Sequence, residues 1–179
     1  MHTYIAFLRG INVGGKNKIP MSELRVALES EQLKSVRTYI QSGNVVFESN
    51  LDSCDEISTS INKIIQNTFG FNIPVLVKTK KQLELVLSLS PYDNEDQISM
   101  NKTYFILLFE SPKEQFLTVF KALTFPNEQY KITDDCVYLL CLNGYGNSKL
   151  NNNLIESKLK VVATARNYRT MQKVLALVD

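Results

Sequence analysis

The order of strand and helix signals along this chain predicts an α+β protein built from two βαββαβ repeats. Three observations carry that expectation. Strand-like and helix-like periodicities follow one another in the same order in residues 1–90 and again in residues 102–179. Each half opens on a run that is apolar on both faces of a strand, residues 3–9 and then 103–109. Each half also places a turn between two β-rich runs at the same point in the order, Gln41-Ser42-Gly43 in one and Thr133-Asp134-Asp135 in the other.

Taken in order, Tyr4, Ala6 and Leu8 alternate with Ile5 and Phe7, so the first strand is expected to be covered on both sides. A glycine- and lysine-bearing loop, residues 10–19, leads to Pro20 and a helix on Met21, Leu24, Ala27 and Leu28. Residues 36–40 and 44–48 then form a hairpin. Ser53 and Glu56 have capping-box spacing ahead of a helix whose buried stripe is Ile57, Ile61, Ile64, Ile65 and Phe69, stopped by Gly70. A strand over 73–78 follows, and Thr79 with Gln82 caps a trailing helix on Leu83, Val86 and Leu87 that ends before Pro91.

Residues 91–101 are polar and read as a connector. The second half repeats the order. It has a strand over 103–109, a helix opened by Ser111-Pro112-Lys113-Glu114, strands over 128–132 and 136–142, and a helix from Ser148 to Leu159. A strand over 161–164 and a C-terminal helix on Met171, Val174, Leu175 and Val178 complete it. The βαββαβ order is the split βαβ arrangement of ferredoxin-like folds. Because both opening strands are apolar on both faces, the sheet faces away from the helices should also be covered, by one another or by a second subunit of a homodimer.

Composition excludes more than it assigns. The chain has 179 residues, 44% hydrophobic and 21% charged, with a net charge of +2, which leaves any basic site to be a local cluster. No apolar run has the ~20 residues a membrane helix needs, and no signal-peptide pattern opens the chain. Three scattered cysteines, Cys54, Cys136 and Cys141, suit buried free thiols in a reducing cytoplasm. The single histidine, His2, lies at the N-terminus, which removes Ser-His-Asp and Cys-His catalysis and His-rich metal sites. Asp93, Glu95 and Asp96 read as a solvated connector, so no metal or cofactor is expected.

The runs FLRGINVGGKNKIPMSELR, VRTYIQSGNVVFES and ATARNYRT together resemble the bacterial family called domain of unknown function 1697. The late run departs slightly from the family pattern, with Ala165 and Tyr168 where Thr and Trp are expected. The resemblance implies a fold and no established activity, so function has to be read from the residues.

In a ferredoxin-like repeat the loop after the first strand lies at the same end as the hairpin between the second and third. In the second half, residues 143–149 and the end of the last strand, 164–167, share the opposite end. If the repeats pack head to tail, all four segments converge. The pooled candidates are Arg9, Asn12, Lys16, Asn17, Lys18, Arg37, Ser42, Asn44, Ser148, Lys149, Arg166 and Asn167, a cationic, amide-rich set with no carboxylate nearby in sequence. Such a set suits a phosphate-bearing or other anionic small ligand.

Gly14-Gly15-Lys16-Asn17-Lys18 is neither a Walker A loop nor a dinucleotide turn, so the glycines alone identify no nucleotide. Two other function classes stay open. One is a transferase or hydrolase using Ser42 or Ser148 with Lys16 or Lys149. The other is a protein- or RNA-interaction module. Against RNA, Asn44 and Val46 stand where stacking aromatics would be needed, and Phe7, Tyr39 and Phe47 read as core.

Overall fold

The structure is a computed structural model, and it describes residues 1–31 and 33–178. It contains two four-stranded antiparallel sheets with interleaved helices, in agreement with the α+β reading and two ferredoxin-like repeats. The compact units are Met1–Leu85 with Gln172–Asp179, and Val86–Met171.

In the first repeat, β1 (His2–Leu8) is followed by α1 (Met21–Ser30), the hairpin strands β2 (Lys34–Tyr39) and β3 (Asn44–Ser49), α2 (Cys54–Phe69) and β4 (Val75–Thr79). The strand order is β2-β3-β1-β4, so β1, the most apolar strand, is central. Tyr4, Ala6, Leu8, Val45, Phe47, Val75 and Val77 face the helices and pack with Leu24, Leu28, Ile57, Ile61 and Ile65. On the other face Ile5, Phe7 and Val46 are also buried, as the two-sided apolar pattern of β1 required. Ser53 caps α2 by accepting the Glu56 N–H at 3.3 Å, and Gly70 ends it in the left-handed conformation.

α3 (Lys80–Ser88) starts directly on the end of β4. Its capping box is reciprocal: Thr79 N–H donates to Gln82 Oε1 at 2.9 Å, and Gln82 N–H donates to Thr79 Oγ1 at 3.2 Å. The expected connector contains a short helix, α4 (Glu95–Ser99), capped by the Asn94 side chain.

The second repeat contains β5 (Thr103–Leu108), α5 (Glu114–Lys121), β6 (Glu128–Ile132), β7 (Cys136–Cys141), α6 (Asn152–Leu159) and β8 (Ala163–Asn167), in the sheet order β6-β7-β5-β8. Its helix-facing core includes Ile106, Leu108, Phe120, Val137, Leu139, Cys141, Ile155 and Leu159. α7 (Tyr168–Ala176) starts on the end of β8 as α3 starts on β4, with Asn167 Oδ1 accepting the Thr170 N–H at 2.8 Å.

Three sequence expectations shift. α5 begins at Glu114 with Lys113 as its cap and no side-chain bond, because Pro112 is buried in the connection and does not open the helix. α6 begins at Asn152 and not at Ser148, and residues 145–147 form a separate 3-10 turn. β8 covers Ala163–Asn167, so it runs three residues beyond the expected 164.

The hydrogen bonds fix the equivalence of the repeats. Leu8 N–H donates to Gly43 O and Arg9 N–H to Pro74 O; Leu108 N–H donates to Asp135 O and Phe109 N–H to Val162 O. Leu8 therefore matches Leu108, Val75 matches Ala163, and Thr79 matches Asn167. The trailing helices α3 and α7 are thus part of the repeated unit.

Candidate functional site

In the first unit the expected neighbourhood of loop and hairpin forms. The connection between β1 and α1 is an ordered structure. Gly14 and Gly15, at φ 58° and 76°, make a tight turn bridged by Val13 and Lys16, with Lys16 N–H donating to Val13 O at 3.1 Å. Asn12 and Asn17 also take positive φ, as asparagine tolerates.

Asn12 holds the loop closed and ties it to the hairpin. Its Nδ2 donates to Ile19 O and to Gln41 O, each at 2.9 Å, and its Oδ1 accepts the Ile19 N–H at 2.9 Å. Asn17 Nδ2 reaches Gly10 O at 3.0 Å. At the hairpin, Asn44 is buried and its Nδ2 donates to Tyr39 O and to Ser42 Oγ, both at 3.0 Å. Asn12, Asn17 and Asn44 therefore shape this end of the unit with their amides. Gly43 sits where a Cβ would lie 2.6 Å from Leu8 Cβ and 2.9 Å from Ile11 Cδ1, so the loop is packed hard onto the hairpin. Ile40 holds φ 50°, unusual for a β-branched residue, and is 50% exposed.

The cations around this scaffold are more open. Lys16, Lys18 and Arg37 are exposed, and among the described residues none of them forms an ion pair. Arg9 is half-buried at the start of the loop. Arg37 lies on edge strand β2 opposite Val46, on the face away from the helices. The segments 1–22 and 33–47 contain no Asp or Glu. Phe7 and Phe47 are fully buried, so they offer no stacking surface.

The candidates in the second unit divide. Arg166 is 6% exposed, and its Nη1 donates to Thr164 Oγ1 at 2.8 Å and Ala165 O at 2.7 Å. Burial pulls the guanidinium down to about 10. Arg166 shares a cross-strand row with Phe105 and Tyr138, on the face opposite the helices. Asn167 is the cap of α7, and Arg169 from the same motif donates to Ser99 O at 3.1 Å, anchoring the end of α4.

Lys149 is exposed, and Ser148 is buried. The pool has no carboxylate nearby in sequence, and folding brings one in from β6: Glu128 Oε1 accepts the Lys149 N–H at 2.8 Å. The adjacent Cys141 thiol is pushed by burial up to about 11, with the Ser148 hydroxyl acting in the opposite direction.

Residues absent from the sequence-based set also appear here. A cavity of about 320 Å³ is lined by Tyr145, Gly146, Ser148, Asn151, Asn152 and Asn153. Tyr145 stacks on Tyr104 at 4.3 Å, and its hydroxyl accepts the Asn152 N–H at 3.1 Å. Burial pushes that hydroxyl up to about 12, so it stays neutral at ordinary pH. Glycines on both sides of Tyr145 and the run Asn151–Asn153 were the available sequence signal. No group of three His, Cys, Asp or Glu that could hold a metal occurs among the described residues, and none of their helices is long and apolar enough to cross a membrane.

No curated protein matches the sequence. Among solved structures, the chain is similar to the conserved bacterial protein SP0830 from Streptococcus pneumoniae. The TM-score is 0.78 and the identity 24%, over 99% of this chain and 98% of that one, a likeness of fold. The model of the family described as protein of unknown function, DUF1697, matches residues 1–138, which takes in the loop and hairpin and leaves the late motif beyond its end. On that match the chain belongs to the DUF1697 family.

Proposed function

We propose that the protein binds a phosphate-bearing or other anionic small ligand at the loop–hairpin end of its first unit. The observation that carries this reading is a cationic surface without counter-charge on a rigid frame. Lys16, Lys18 and Arg37 are exposed and form no ion pair among the described residues, in segments that contain no carboxylate. Asn12 and Gly43 hold loop and hairpin together, so the lysine-bearing backbone is ordered before a ligand arrives. Lysine and arginine supply charge-assisted donors to phosphate or carboxylate oxygens. The catalytic alternative stands second: at Ser42 Oγ the Asn44 amide donates a hydrogen bond that shapes the hairpin.

The test is thermal unfolding with inorganic phosphate, pyrophosphate, ribose 5-phosphate and citrate at low and moderate salt. A ligand at ~100 times its dissociation constant adds about 2.7 kcal/mol, roughly 5–10 °C for a chain of this size. The expected result is a shift with at least one anion that weakens with salt and disappears in a Lys16→Ala, Lys18→Ala double variant. A shift that the double variant keeps, or none with any of the four, overturns the reading.

A further inference from the structure

We propose that the ligand held at the loop–hairpin end of the first unit is an organic anion, whose phosphate or carboxylate meets the lysines while an attached apolar group covers Val13 and Ile40. This rests on the anion reading above and narrows it.

The two apolar side chains stand where the first repeat carries chain that the second lacks. Phe7 pairs with Asn44 as Leu107 pairs with Cys136, and Thr38 pairs with Val45 as Ile132 pairs with Val137. Residues 39–43 of the first hairpin therefore span what 133–135 span in the second. Ile40 lies in that longer turn, and Val13 lies in the longer connection between β1 and α1. Neither holds its segment down. Ile11 and Ile19 are the loop residues that enter the core, while Val13 is 65% exposed and Ile40 half exposed.

Both are fixed beside the cations. Val13 is the cross-strand partner of Lys16 in the tight turn, so the two side chains share one face, with Cβ atoms ~5 Å apart. Ile40 sits between two bonded carbonyls: Tyr39 O accepts from Asn44, and Gln41 O accepts from Asn12. The Asn12–Gln41 bond is thus one residue from Val13 on the loop and one residue from Ile40 on the hairpin. Ile40 keeps a φ of 50°, a conformation that glycine or asparagine takes with ease and a β-branched residue does not. Single exposed apolar residues are ordinary on a protein surface. Two that border one ordered cationic turn, one of them held there against its backbone preference, make a patch that a ligand can cover.

The combination selects the ligand class. Lys16 and Lys18 attract inorganic phosphate and its esters alike, so their charge does not discriminate between them. Val13 and Ile40 add affinity only where the ligand brings apolar surface of its own, at about fourfold for each methylene fully buried. The segments 1–22 and 33–47 hold no carboxylate to repel the anionic end.

The experiment is an NMR chemical-shift titration of the full chain with methyl phosphate, n-butyl phosphate and phenyl phosphate, with n-butanol as the uncharged arm. The butyl ester has three further methylenes, and their partial burial should make it bind about tenfold tighter than the methyl ester. The phenyl ester should share that gain, and n-butanol alone should not bind. In a Val13→Ser, Ile40→Asn double variant the butyl-to-methyl ratio should fall to about one. That variant should unfold at the temperature of the parent or higher, because asparagine tolerates the backbone of residue 40, so a lost ratio is not lost folding. The Lys16→Ala, Lys18→Ala variant should lose all three esters. Flotation with phosphatidylglycerol vesicles, lost in the Val13→Ser, Ile40→Asn variant, would identify a lipid headgroup as the source of this chemistry; ester binding without flotation would identify a free ester, and both support the proposal. No binding of any ester overturns the anion reading and this inference with it. Equal affinity of the methyl and butyl esters, or a tenfold ratio that survives in the Val13→Ser, Ile40→Asn variant, overturns this inference alone.

Discussion

Laid over one another by their hydrogen bonds, the two repeats agree in strand order, in the capped helix that follows the last strand and in register, apart from a shift between Lys34 and Arg37 in β2 that β6 lacks. They disagree in where they insert extra chain. The first repeat spends residues 9–20 between β1 and α1, where the second needs only 109–113. The second spends residues 142–151 between β7 and α6, where the first needs only 50–53. These connections leave opposite ends of their sheets, so the elaborations are not copies of one ancestral feature. One carries Arg9, Lys16 and Lys18 and is closed by its own amides; the other carries Lys149 and a tyrosine stacked on Tyr104. The same frame carries two unlike insertions.

The comparison is tested most severely at Gly43. Its match in the second repeat is Asp135, which already carries a side chain. Gly43 has φ 75°, and its Cβ would strike Leu8 and Ile11. Gly43→Ala is expected to cost about 3 kcal/mol in chemical denaturation, from strain and overpacking together. Asp135→Ala should stay near ~1 kcal/mol, the scale of a lost local hydrogen bond. Equal costs at the two sites would mean that the loop does not brace the first hairpin.

A second test separates the repeats by pH. Cys141, whose match is the non-titrating Ser49, has its thiol raised by burial from 9.0 to about 11. Unfolding exposes a thiol that ionises in this window while the folded one stays protonated. The folded state therefore binds more protons, and stability falls as pH rises from about 9 to about 11, by about 1.4 kcal/mol per pH unit at most for one group. Cys141→Ala should flatten that slope in urea titrations; an unchanged slope would place the alkaline sensitivity elsewhere.

The smallest effect concerns the trailing helices. Thr79→Ala and Asn167→Ala each remove the side chain capping α3 or α7, and each should cost about 1 kcal/mol. If one variant is neutral and the other is not, the two caps are not energetic equivalents despite their matched register.

Local chemistry made most of the frame legible. β1 read as doubly covered because its apolar residues occupy both parities, and the Thr79–Gln82 spacing located α3 because a capping box satisfies its own orphan amides. The start of α6 was not legible in the same way. Ser148, Asn151, Asn152 and Asn153 are all good caps, and the choice among them depends on partners far away in sequence. Glu128 takes the Lys149 N–H, and Tyr145 takes the Asn152 N–H. Likewise, Asn12, Asn44 and Asn167 were recognisable as residues that core packing does not explain. Only the fold shows that their amides are spent on a loop, a hairpin and a helix cap.

The division of the chain into units has a consequence for synthesis. The first unit draws on Met1–Leu85 and again on Gln172 onward. At the ~5–20 residues per second of translation, roughly 4–17 s separate the emergence of those two pieces. For that interval the N-terminal unit exists on the ribosome without its last segment. Its completion waits on the making of the second unit.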